Sequence, residues 1–168
     1  MKLEAPDFFP LVAGAVFEFE VDRAGSREGL TVEVLSVEVS GGLTKAACRR
    51  TETRPGENRA RDFEATSDGL WVRVDGEKEL PCVPEAGMKG DAPPVSSRVS
   101  ELGAVVSVPA GSFSGCLKVS YLVAAGDAGS GERFYAPGVG LVREDCAEES
   151  EPFESRLVRY SIPGPRGS

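Results

Sequence analysis

Apolar and polar residues alternate strictly over residues 16–22. Phe17, Phe19 and Val21 fall on one face, and Glu18, Glu20 and Asp22 on the other. That period of two marks a half-buried antiparallel strand. Residues 23–29 read as a polar loop. Residues 30–39 form a second strand whose apolar phase slips: Leu30, Val32 and Val34 share one parity, Leu35, Val37 and Val39 the other. The slip predicts a bulge near Val34, or burial on both faces. Gly41-Gly42 reverses the chain into a polar strand over 43–51, and Pro55-Gly56 sits in a loop over 54–58. Strands over 61–66 and 70–74 make a hairpin across Ser67-Asp68-Gly69, and Asp75-Gly76 is a second hairpin signal before 78–83. In this region Trp71 shares a face with Arg73, and Leu70, Val72 and Val74 take the other.

Residues 84–94 carry no strand signal and read as a loop. Strand returns over 95–102 and 104–108. Pro109-Ala110-Gly111 then turns into 114–124, where Leu117, Val119, Tyr121 and Val123 line one face. Residues 125–131 are rich in Gly, Ala and Ser and read as a flexible loop. Two arms, 132–136 and 139–143, flank Pro137-Gly138. Pro presets φ at the first central position of a turn and Gly accepts the positive φ of a type II turn at the second. Gly140 is expected at a bulge or a close backbone approach. The first arm should pair with 114–124 and the second with the last strand, 153–162.

No segment holds a 3.6-residue apolar period, so little helix is expected. The fold class is all-β: an antiparallel meander of about ten to eleven strands, curled into a barrel or half-barrel, with a two-sheet sandwich as the alternative. A chain of 168 residues suits one domain. We assign it to residues 1–162, leaving 163–168 as a disordered tail or cloning scar.

Composition narrows function mainly by exclusion. The net charge of −8 argues against nucleic acid, whose phosphates require a basic footprint. No stretch is long enough for a membrane span. The chain contains no His, which removes His-based triads, the common zinc sites and the usual pH switch near neutrality. No cofactor motif is present. The apolar run over residues 8–17 is broken by Pro10, and Glu4 and Asp7 offset Lys2, so it reads as the approach to the first strand rather than as a leader. Cys48, Cys82, Cys116 and Cys146 lie far apart, and either two disulfides or buried free thiols fit. The chain belongs to the cell envelope or periplasm if a leader precedes it, otherwise to the cytoplasm.

Three segments carry a family resemblance. Phe9-Pro10-Leu11 followed by Gly14, Phe17 and Phe19 is one. Val108-Pro109-Ala110-Gly111 followed by Phe113 and Cys116-Leu117-Lys118-Val119 is the second. Tyr135-Ala136-Pro137-Gly138-Val139-Gly140-Leu141-Val142 is the third. In this order they resemble a poorly characterised family of bacterial all-β proteins, many exported or lipoprotein-like, with Phe17 standing where the family commonly has Trp. The resemblance implies a curved antiparallel sheet similar to periplasmic lipoprotein carriers. It supplies no catalytic residues.

The candidate sites are weighed individually. Glu18, Glu20 and Asp22 resemble a glycosidase carboxylate set, but their alternation is explained by solvation. Glu144, Asp145, Glu148, Glu149, Glu151 and Glu154 lack the spacing and turn glycine of a calcium loop and read as a solvated run. Lys45, Arg49, Arg50, Arg54, Arg59 and Arg61 could hold an anion, but they fit better as partners of that acidic run, within the fold or across a dimer. Cys116 has no His to activate it and reads as packed. The Gly-rich stretch over 126–131 lacks the Lys-Ser/Thr ending of a phosphate loop. Phe17, Phe19, Phe63, Trp71, Tyr121, Phe134 and Tyr135 either fill the core or line an apolar cavity inside the curled sheet. The expected function is therefore non-enzymatic binding of an apolar small molecule. The alternative is a structural or protein-interaction role through a sheet face or edge, with homo-oligomerisation open.

Overall fold

The computed structural model describes residues 7–92, 95–123, 129–147 and 152–164, and every regular element among them is a strand. There are twelve: β1 Val16–Arg23, β2 Ser26–Ser40, β3 Leu43–Arg54, β4 Glu57–Ser67, β5 Trp71–Val74, β6 Glu77–Pro81, β7 Lys89–Ala92, β8 Val95–Val108, β9 Gly111–Val123, β10 Gly129–Ala136, β11 Gly140–Cys146 and β12 Phe153–Ser161. All twelve join one sheet in the order β6-β5-β4-β3-β2-β1-β12-β11-β10-β9-β8-β7. Short turns make sequence neighbours into antiparallel partners, which yields two six-stranded meanders. The first and last strands then pair at the centre, Phe19 opposite Leu157 and Val21 opposite Ser155. The sheet curls into a half-barrel, and its end strands β6 and β7 come alongside one another.

Several boundaries differ from the pattern-based expectation. Residues 23–29 are not a loop: Ala24 (φ 49°) and Gly25 (φ 82°) make a two-residue reversal, and β2 begins at Ser26. Two positive φ values define the type I′ turn that matches strand twist. The 54–58 loop shrinks in the same way to Pro55-Gly56. The bulge in β2 falls where the apolar phase slips, between Val34 and Ser36, with Leu35 the extra residue. Residues 89–92, expected as loop, are strand β7 paired with β8. The two strands expected over 95–108 are one, with three register shifts. Residues 129–131 extend β10 backwards, while 124–128 and 148–151 lie outside the described residues, as do 165–168 of the expected tail.

Alternation puts Phe17, Phe19, Val21, Leu30 and Val34 of β1 and β2 on the concave face, with Ala46, Cys48 and Ala65 of the next two strands, all buried. Phe8, Val72, Leu80, Val99, Leu117, Val119 and Tyr135 form a second buried cluster where the meanders meet. Burying each larger side chain contributes about 1.5–3 kcal/mol. The convex face carries ions. Arg156 bonds Glu20 at 3.1 Å and Asp22 at 2.6 Å, Arg143 bonds Asp145 and Glu154, and Arg159 pairs with Glu18. The β1 carboxylates are thus half-buried and ion-paired with β12. The basic cluster is also paired internally and, among the described residues, not with the acidic run. Arg49 bonds Asp62 at 2.7 Å, Arg61 bonds Asp75 at 2.6 Å, Arg50 and Arg54 bond Glu52, and Arg59 bonds Glu57. Register places Arg49 opposite Asp62, Arg50 and Arg59 reach carboxylates two residues away on their own strands, and Arg61 reaches Asp75 in the β5–β6 turn.

Candidate functional site

The chain before β1 runs across one end of the concave face. Phe8 is buried there, Gly138 N–H donates to the Asp7 carbonyl at 2.7 Å, and Gly14 N–H donates to the Val34 carbonyl at 2.8 Å. Residues 8–14 are thus a plug rather than strand, because Pro10 cannot supply a ladder donor. The plug rests on the Pro137-Gly138 turn. Val139 N–H closes that turn on the Ala136 carbonyl at 3.1 Å, with Gly138 at φ 75° as a type II turn requires. Gly140 (φ 108°) is the expected close approach: a Cβ there would sit 3.7 Å from Pro10 Cδ and 3.9 Å from the Phe8 carbonyl oxygen. On the other side Pro137 lies against Gly115, and Ala110 N–H donates to the Leu157 carbonyl at 3.0 Å. The three segments that carry the resemblance therefore meet at one corner of the fold. The first and third of them line a cavity.

That cavity measures about 250 Å³. Its wall is apolar over most of its area, with Phe17, Phe19, Leu30 and Val34 on one side and Tyr135, Val139 and Leu141 on the other. Of the aromatics expected around a ligand, Phe17, Phe19, Phe63 and Tyr135 are on this wall; Trp71, Tyr121 and Phe134 are not. Trp71 and Phe134 fall on the opposite parity from the buried Val72 and Tyr135, and each ring is covered by a lysine, Lys78 Nζ at 4.6 Å and Lys118 Nζ at 5.8 Å. Tyr121 belongs to a polar cluster just beyond the wall. Cys48 also faces the cavity, and burial pushes its thiol up to about 11. All four cysteines are free thiols, and Cys116 is fully buried. Among the described residues no group of three Cys, Asp or Glu could hold a metal ion.

The polar cluster comes from strands distant in sequence. Arg133 on β10 donates through Nε to Glu144 Oε1 on β11 and through Nη1 to Glu79 Oε2 on β6, both at 3.1 Å. The Tyr121 hydroxyl on β9 donates to Glu144 Oε2 at 3.1 Å, and the Arg133 guanidinium lies 4.7 Å from the Tyr121 ring centre. Glu79, Arg133 and Glu144 all line the cavity. Burial raises the Glu79 carboxyl above its ordinary value, more than nearby Arg133 lowers it, and burial with the Glu144 charge raises the Tyr121 phenol. Burial likewise raises the phenol of Tyr135. Gly131 leaves the space that the Tyr121 ring fills, since a Cβ there would collide with the end of the ring. This cluster is not legible in the sequence: Glu79 and Arg133 are 54 residues apart, and nothing local signals their meeting.

Comparison with solved structures fits this architecture. A Bacteroides fragilis protein regarded as exported, with a YmcC-like fold, superposes with a TM-score of 0.72 at 17% identity, covering 94% of this chain and 100% of its own. This chain shares that fold. A Parabacteroides distasonis protein regarded as a lipoprotein superposes with a TM-score of 0.61 at 17% identity, covering 95% of this chain and 100% of its own. No family model matches the chain, and no curated protein matches it by sequence.

Proposed function

We propose that this chain is a non-enzymatic binding domain of the bacterial cell envelope that holds a small apolar or amphiphilic molecule on the concave side of its sheet. The observation that carries the proposal is the half-open 250 Å³ cavity on the concave side, walled by side chains of both meanders, mostly apolar, with Arg50, Glu79, Arg133 and Glu144 as its charged groups. An apolar cavity of about 150 Å³ already admits benzene, and ligand sites combine apolar walls with few polar groups in this way. What supports the envelope location is that the two proteins of similar fold are regarded as exported or as a lipoprotein, in line with the motif resemblance. A role through a sheet edge is less well supported. The end strands β6 and β7 have five and four residues and lie side by side, and where β4 runs on beyond β5, over residues 57–63, its side chains are mostly charged and exposed, which opposes edge pairing.

Native mass spectrometry of freshly purified protein tests the proposal. A fraction carrying one small added mass, lost on denaturation, is the expected result. A bare protein that stays bare after incubation with short-chain alcohols contradicts it.

A further inference from the structure

The Glu79–Arg133–Glu144 border of the cavity is not charge-neutral. Arg133 commits Nε and Nη1 to two carboxylates and its face to the Tyr121 ring. Glu144 accepts on both oxygens, from Arg133 and from Tyr121. Glu79 accepts from Arg133 through Oε2, and no bond to Oε1 is made among the described residues. Arg50, the other cation on the wall, is paired with Glu52. Two carboxylates thus share one guanidinium at the end of an apolar cavity, and Glu79 Oε1 is left as an acceptor. An anion entering here would face two carboxylates against one guanidinium that already bonds both. A cationic donor would find both compensation and an acceptor.

We infer that the cavity takes a short-chain amphiphilic amine, its alkyl part among Phe17, Phe19, Val34 and Leu141 and its ammonium group beside Glu79. This rests on the reading of the cavity as a ligand site. The volume of about 250 Å³ suits a short free amine rather than a lipid with two acyl chains. Removal of Glu79 from water without full compensation, visible in its raised carboxyl pKa, is the condition that an arriving ammonium relieves.

The test is calorimetric titration of the protein at neutral pH with octylamine, octanol and octanoate, three probes with one chain and different heads. The expected result is single-site binding of octylamine, about tenfold tighter than octanol, with octanoate weakest and with octanol displacing octylamine one for one. In Glu79→Gln the preference for amine over alcohol should collapse. Octanol binding at least as tightly as octylamine, octanoate binding best, or a preference that survives Glu79→Gln, as surface carboxylates would produce, each overturns the inference and leaves the cavity reading intact. Failure of all three probes to bind saturably overturns the cavity reading with it. If Glu79→Gln does not fold, the order of the three probes and the octanol displacement decide the question with the unsubstituted protein.

Discussion

At the scale of single residues, three positions depart from what their neighbours would tolerate. Ala24 occupies the first central position of a type I′ turn with φ 49°, where an L-residue with a Cβ pays about 1–2 kcal/mol and Asn or Gly does not. Ala24→Asn should therefore stabilise the protein by roughly 0.5–1 kcal/mol, read as a higher midpoint in chemical denaturation. Gly131 is the opposite case, since a methyl group there meets the Tyr121 ring. Gly131→Ala should cost about 1–3 kcal/mol by overpacking and should disturb the Tyr121–Glu144 hydrogen bond, visible in the tyrosine near-ultraviolet dichroism. Asp68 accepts from the Trp71 and Leu70 amides at 2.7 and 2.9 Å and from Arg73 at 2.6 Å. Those bonds, the Trp71 amide foremost, lower its carboxyl from 3.8 to about 2. A carboxyl depressed by folding contributes its stability above its unfolded pKa and loses it as pH falls toward the folded value. Between about pH 4 and pH 2 the Asp68 contribution should fade, and a carbon-detected titration of Asp68 should show the low midpoint directly. Glu79 shifts the other way. Burial raises it, so its folded form takes up a proton before an ordinary glutamate does as pH falls.

At the scale of elements, the Pro137-Gly138 turn anchors more than its own hairpin. The plug, the β8–β9 turn and the β10–β11 turn close on each other there, and Gly140 disfavours a side chain because of its φ of 108°, with Pro10 and the Phe8 carbonyl in contact range of a Cβ and in the way of a larger branched one. Gly140→Val should destabilise by more than about 1–3 kcal/mol, with thermal denaturation as the measurement. Strands with clean alternation, such as β1 and the second half of β9, were legible because burial on one face writes a period of two into the sequence. The Leu35 bulge was legible for the same reason, as a break in that period. The β7 strand was not: Lys89-Gly90-Asp91-Ala92 has no β-branched or aromatic residue, and it is strand because β8 offers it a partner. The start of β2 was missed because Ala24 is not a residue expected at its turn. Cavity residues were legible only as aromatics on a concave-facing parity, which named Phe17 and Phe19 but could not separate Tyr135 from Phe134. The β10 bulge between Phe134 and Tyr135 lies beyond what composition can signal.

At the scale of the whole molecule, two six-stranded meanders are held together by the central β1–β12 ladder and, across the fold, by the Glu79–Arg133 bridge. Arg133→Met keeps much of the side-chain volume but strands two carboxylates without their cation. It should destabilise on the order of 3 kcal/mol at neutral pH, and the loss should shrink in acid as Glu79 takes up a proton. The same bridge bounds the cavity, so stability and binding are linked through one guanidinium. A ligand that binds only the folded protein would raise the melting temperature in proportion to its saturation. The most direct measurement of the central claim is a methyl-resolved NMR titration with octanol. The account predicts saturable shifts at the cavity-wall methyls of Val32, Val34, Val139 and Leu141, with none at the exposed Val105 and Leu122. Shifts confined to the exposed methyls, or no saturable shift at all, would contradict it.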